Sequence, residues 1–115
     1  MKIRKDIETR DDLLLLMQEF YKKLLADDSI SYLFTDVAKV KLDHHFPVLV
    51  DFWDNILFEN DTYRKNAMQP HMALHAKSPI LPHHFETWLD YFKKTVDELF
   101  TNPKAFLAKE RAVSI

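Results

Sequence analysis

The sequence predicts a single all-α domain, and three observations support this. Apolar residues recur at three- and four-residue steps over most of the chain, which places them on one face of successive helices. Glycine is absent from all 115 residues, and tight primed hairpin turns lean on Gly or Asn, so a hairpin-rich β fold is disfavoured. Only Ala38–Asp43 alternates apolar and polar residues strictly, and a lone strand has nothing to pair with. A chain of this length fits one compact domain spanning residues 1–115, large enough to bury roughly two-thirds of its unfolded surface.

The first helix opens at Thr9, where Thr9-x-x-Asp12 has capping-box form and an apolar run follows at once. Leu13, Leu16, Met17, Phe20, Tyr21 and Leu24 share its face, and it should stop near Asp27-Asp28. A short turn through Ser29–Tyr32 leads to Leu33-Phe34, where Thr35 or Asp36 can cap a further helical turn. The next helix carries His45, Leu49, Phe52, Trp53 and Ile56 on one face. Pro47 is tolerated only in a first turn, so this helix is expected to begin near Asp43 or His44. Asn60-Asp61 marks a turn, and Pro70 restricts a short helix with His71, Leu74 and His75. After the Pro79–Pro82 loop comes the clearest stripe: Phe85, Trp88, Leu89, Phe92, Val96, Leu99 and Phe100. Asn102-Pro103 reads as N-cap and first residue of a last helix carrying Phe106, Ala112 and Ile115.

Composition excludes several function classes. Net charge is −2 with a pI near 6.3, so no cationic face points to nucleic acid. The chain has no cysteine, which removes disulfides, thiolate metal sites and thiol catalysis. Without glycine, phosphate-cradling loops and dinucleotide fingerprints are disfavoured. The longest apolar run, Leu13–Met17, is far too short to span a bilayer. The basic start Met1-Lys-Ile-Arg-Lys lacks an apolar stretch of signal-peptide length, so a cytoplasmic protein with no membrane partner is expected.

No serine or threonine stands in a nucleophile-elbow context. Three features bear on chemistry: His45 on an apolar face, His71-x-x-x-His75, and Tyr21 and Trp88 inside apolar stripes. His71 and His75 lie one helical turn apart, a spacing at which two imidazoles can share a metal ion, but further ligands for structural zinc are missing. Haem iron needs only one proximal His and an apolar, aromatic slot. His71 can serve as that ligand with His45 looking in from the opposite side, while Tyr21 and Trp88 each offer one polar handle. Taken singly, His45, Tyr21 and Trp88 are each more often ordinary core. The residues alone therefore leave open a haem protein, a divalent-metal site on His71 and His75, and a cofactor-free helical interaction module.

Five segments resemble the truncated haemoglobins of group III. They are Phe20-Tyr21, Phe34, His45-Phe46-Pro47-x-Leu49-x-Asp51-Phe52-Trp53, Met68-x-x-His71-Met72, and Phe85-x-x-Trp88-Leu89. The likeness runs from about Asp6 to Ile115; each motif is weak alone, and their order and spacing together are specific. It departs from the family at Tyr63-Arg-Lys-Asn66-Ala67, where Ala67 replaces a usual Pro, and in a shorter last helix. The resemblance implies a truncated globin fold, a helical sandwich around a pocket for haem b (iron protoporphyrin IX), with His71 as the iron ligand. It implies Tyr21, His45 and Trp88 on the distal side, and Phe34, Leu49, Phe52, Met68 and Phe85 as apolar wall. Candidates for the propionates are Tyr63, Arg64, Lys65 and His75. His83-His84 match no functional position and are expected at the surface of a helix start. The implied function is binding of a diatomic gas (oxygen, nitric oxide or carbon monoxide), extending to nitric oxide or peroxide detoxification with electrons from an unidentified reductase.

Overall fold

The computed structural model describes residues 4–37, 42–58 and 81–113. These form α1 (Arg10–Leu25), α2 (Asp28–Tyr32), a π-helical turn (Leu33–Val37), α3 (Leu42–Phe58), α4 (Pro82–Leu99) and α5 (Pro103–Val113). Among the described residues the only β pairing is an isolated bridge between Lys5 and Phe100. The helical stretch expected around His71, and the alternation at residues 38–41, lie outside the described residues.

The capping box forms as expected. The Asp12 amide donates to the Thr9 hydroxyl at 3.2 Å, and the Thr9 and Glu8 amides donate to Asp12 Oδ2 at 3.1 and 2.9 Å. Three donors at the helix start are thereby satisfied by two side chains. The face this box orients buries Leu13, Leu16, Met17, Phe20, Tyr21 and Leu24, the same six residues the spacing singles out. α1 packs across α3 and α4, and α5 closes the far side of both.

Several elements depart from the sequence reading. Residues 28–32 form a helix rather than a turn, because Asp27 Oδ1 accepts from both the Ser29 amide and hydroxyl and starts it. The chain then widens into the π-helical turn rather than opening a new turn capped by Thr35 or Asp36, and the Thr35 hydroxyl donates to the Ser31 carbonyl. α3 opens at Leu42, so Pro47 sits past the first turn. Pro47 and Asp43 are both exposed there, so water can take the carbonyl that proline's missing N–H leaves unbonded.

At α5, Asn102 occupies the cap position in the left-handed region, φ 80°, which Asn tolerates better than most residues. Its carbonyl accepts the first helical bond, from the Phe106 amide. The side-chain cap comes instead from Asp6, whose carboxylate accepts from the Lys104 and Ala105 amides at 3.1 and 3.0 Å. Lys104 Nζ in turn donates to the Leu57 carbonyl at the end of α3, a cation placed where helix carbonyls go unpaired. The N-terminal segment is therefore part of the fold, with Ile7 only 1% exposed. The inner face of α5 is Ala105, Ala108 and Ala112. Phe106 is 60% exposed, out of phase with that alanine face.

Candidate functional site

Tyr21 projects from the last turns of α1 into the space between the π-helical turn and the start of α3. Its ring meets four others edge-on, with centroids 5.5–5.6 Å away: Phe20, Phe34, Phe46 and His45. Such T-shaped contacts set positive ring edges against negative faces. The Tyr21 hydroxyl lies 2.9 Å from His45 Nε2. This polar contact lies inside that aromatic enclosure.

Burial pushes the Tyr21 phenol well above its ordinary range and pushes the His45 imidazole below its own, because desolvation penalises the charged form of each. At neutral pH the pair is accordingly an uncharged phenol against an uncharged imidazole. With Nε2 bare the phenol donates; with Nε2 protonated it accepts. The contact survives in either tautomer, so the pair can present a donor or an acceptor to a third group.

Phe20 links this pair to a second aromatic group. It meets Trp88 and Phe92 edge-on at 5.5 and 5.3 Å. Trp88, Phe92 and Trp53 stack nearly parallel, at 5.6 and 5.0 Å with interplanar angles of 12° and 18°. Phe92 is wholly buried and fixes both indoles. Leu49 and Phe52 follow His45 along α3, and with Phe34 and Trp88 they are partly buried, each packing one side on the core.

The structure thus brings Tyr21, His45 and Phe34 into direct contact, and Trp88 next to them through Phe20. Phe85 does not join: it is 49% exposed, whereas His84 beside it in the same turn is the residue that is buried. Tyr63, Arg64, Lys65, Met68, His71 and His75 lie outside the described residues.

One expectation about α4 needs correction. His83 is exposed as expected, but His84 is 3% exposed and fully engaged. Its Nδ1 accepts from the Leu81 amide at 2.9 Å, and its Nε2 lies 3.0 Å from the Tyr32 hydroxyl on α2. Two turns along α4, the Tyr91 hydroxyl donates to Asp27 at 2.6 Å. Proline at the first helical position leaves His84 at the third, where a side chain reaches back to the preceding amide. That positional signal was present in Leu81-Pro82-His83-His84; the partner on α2 was not.

Among the described residues, no helix is long and apolar enough to cross a membrane, and no three His, Asp or Glu side chains gather as a metal cluster. A search of curated proteins finds no match. In fold, the chain is similar to the crystal structure of a group III truncated hemoglobin from Campylobacter jejuni. The TM-score is 0.84 and the identity 18%, over 97% of this chain and 88% of that one. The bacterial-like globin family matches residues 6–113, nearly the whole sequence. The chain belongs to the bacterial-like globin family and has the fold of a truncated haemoglobin.

Proposed function

We propose that the protein binds haem b through His71 and holds a diatomic ligand on the side lined by Tyr21, His45 and Trp88. The observation that carries this reading is the Tyr21–His45 contact of 2.9 Å inside an otherwise apolar enclosure. A polar pair that remains in aromatic surroundings, beside the half-covered apolar side chains of Phe34, Leu49 and Phe52, fits a flat apolar group whose reactive centre needs a hydrogen bond. Membership of a globin family supports the same reading.

Haem supplies an iron centre that binds diatomic gases and polarises them toward negative charge. This chain's residues would then act as follows. His71 would hold the iron through an imidazole nitrogen. Tyr21 keeps its proton across the physiological range, since burial raises its pKa, so its hydroxyl is available as a donor to the polarised ligand. Neutral His45 accepts from or donates to that same hydroxyl and so sets whether Tyr21 points its proton at the ligand or away. Trp88, held flat against Phe92, offers its indole N–H as a second donor. Phe34, Leu49 and Phe52, with Met68, exclude water from the porphyrin face. The candidate donors for its propionates are Tyr63, Arg64, Lys65 and His75.

Donors at the ligand slow its release. Retention suits consumption over carriage: nitric oxide or peroxide turnover, with oxygen as co-ligand where required and electrons drawn from a separate reductase.

The test is an absorption spectrum of the purified protein, oxidised, reduced, and reduced under carbon monoxide, with His71→Ala alongside. A Soret band that shifts with carbon monoxide, and is lost or non-native in the variant, is expected. No band after reconstitution with haem would overturn the reading in favour of a cofactor-free helical interaction module. A band unaffected by His71→Ala would overturn the assignment of the ligand.

A further inference from the structure

The His84 ring is a buried titratable group that the proposed ligand chemistry does not use. The Leu81 amide donates to Nδ1, so Nδ1 carries a lone pair and the ring proton resides on Nε2. Nε2–H therefore donates to the Tyr32 hydroxyl, 3.0 Å away. One imidazole thus satisfies an orphan amide at the start of α4 and ties α4 to the last residue of α2.

What α2 leads into gives the tie a consequence. Tyr32 is followed directly by the π-helical turn of Leu33–Val37, and that turn carries Phe34 against the Tyr21 ring. The other end of α2 is pinned separately, by Asp27 accepting from Tyr91 at 2.6 Å. α2 is held to α4 at both ends, by a carboxylate at one and by an imidazole at the other.

We propose that His84 is a positioning residue for the distal pocket: it holds the start of α4 and, through Tyr32, the segment that carries Phe34, and it releases both when protonated. A proton added at Nδ1 turns the acceptor for Leu81 into a second donor facing a donor, so that bond is lost. A cationic imidazole then gains more from water than from a site 3% exposed, and turning outward breaks the Tyr32 contact as well. Among the described residues the ionisable groups facing the ring are Tyr32 on α2 and His83 in its own turn, whose ring lies 4.2 Å away. Burial, and then the neighbouring His83, hold the pKa of His84 below the ordinary imidazole value. The Asp27–Tyr91 contact does not depend on that proton, so α2 pivots about its first turn while its last turn comes free. The pocket consequence rests on the ligand-binding reading given above; the latch itself does not.

The experiment is a pH titration by nuclear magnetic resonance on the carbon-monoxide-saturated protein, repeated on haem-free chain, with wild type, His84→Gln and Tyr32→Phe. In wild type, His84 is expected as the Nε2–H tautomer, titrating below the ordinary imidazole range. The Leu81 amide and the Phe34 ring should shift over the same pH interval. In His84→Gln, whose amide can still accept from Leu81, both shifts should vanish. In Tyr32→Phe, the Leu81 shift should persist while the Phe34 shift is lost. Carbon monoxide rebinding after photolysis should change roughly two- to tenfold across the His84 titration in wild type, the effect of one hydrogen bond, and both variants should keep only the change that follows the separately resolved His45 resonance. The proposal is overturned if His84 is the Nδ1–H tautomer, if Leu81 does not follow its titration, or if the Phe34 shift survives Tyr32→Phe. Coupled shifts in haem-free chain with no carbon monoxide binding would uphold the latch and overturn the haem reading.

Discussion

The Tyr21 hydroxyl and His45 Nε2 come from helices whose residues are 24 positions apart, and they meet at 2.9 Å within a ring of phenylalanines. Neither group is charged at neutral pH, since burial raises one pKa and lowers the other. The contact is therefore a hydrogen bond and not an ion pair, and it can be re-aimed by moving one proton between ring nitrogens.

Tyr21→Phe keeps the ring and its four edge-on contacts but deletes the hydroxyl. Oxygen dissociation should accelerate roughly five- to a hundredfold, the equivalent of about 1–3 kcal/mol for a buried hydrogen bond to a polarised ligand. Stopped-flow displacement of oxygen by carbon monoxide reads this directly. Unchanged rates in both Tyr21→Phe and Trp88→Leu would remove these residues from the ligand site.

Acidification should weaken the fold in a defined window. His45 and His84 both have folded pKa values below the ordinary 6.5, each chiefly through burial. Between 6.5 and those lower values the unfolded chain binds more protons, so stability rises with pH there. The contribution is fully present above the unfolded value and is lost as pH falls through the folded ones. Urea midpoints measured from about pH 8 down to about pH 5 should fall for wild type and fall less steeply for the double variant His45→Gln, His84→Gln. Equal slopes for the two proteins would contradict it.

Asp6→Ala should cost about 1–2 kcal/mol of stability, the usual worth of a helix cap. Its carboxylate is the acceptor for two amides at the start of α5, and no residue adjacent in sequence supplies that cap. Denaturant unfolding measures the loss, and Asp6→Asn should recover part of it because one amide oxygen can still accept. A neutral Asp6→Ala would mean the N-terminal segment does not hold α5.

Phe92→Ala should destabilise by about 3–5 kcal/mol, as for other large aromatic truncations in a core. Phe92 is wholly buried between the two indoles. Tryptophan fluorescence should change together with the unfolding midpoint, because Trp53 and Trp88 both lose the ring they stack on. A midpoint shift without a spectral change would argue against the stack.

Legibility followed the range of the interactions. The six residues of the buried apolar face of α1 and its capping box were readable because helical periodicity and i-to-i+3 side-chain reach are local properties. The stripe of α4 was readable for the same reason at Trp88, Leu89, Phe92 and Val96, and misleading at Phe85, whose neighbour His84 takes the buried place in that turn. The long-range part of the site entered through its likeness to a family, whose ordered motifs placed Tyr21 and His45 in one pocket before any contact was known. His84 shows the reverse: periodicity and likeness both left it at the surface, and only the approach of α2 buries it.

The sequence by itself determined where α1, α3, α4 and α5 lie and which face of α1 is apolar, and it carries neither cysteine nor a glycine loop. Those properties depend on neighbours within four or five positions. Tertiary structure alone decided the pairings: Tyr21 with His45, His84 with Tyr32, and Asp6 with the start of α5. Each joins residues 24, 52 or 98 positions apart. No local propensity encodes which distant partner a polar group will find, because that choice is made when the apolar faces pack and each buried polar atom must take the partner the packing brings within reach.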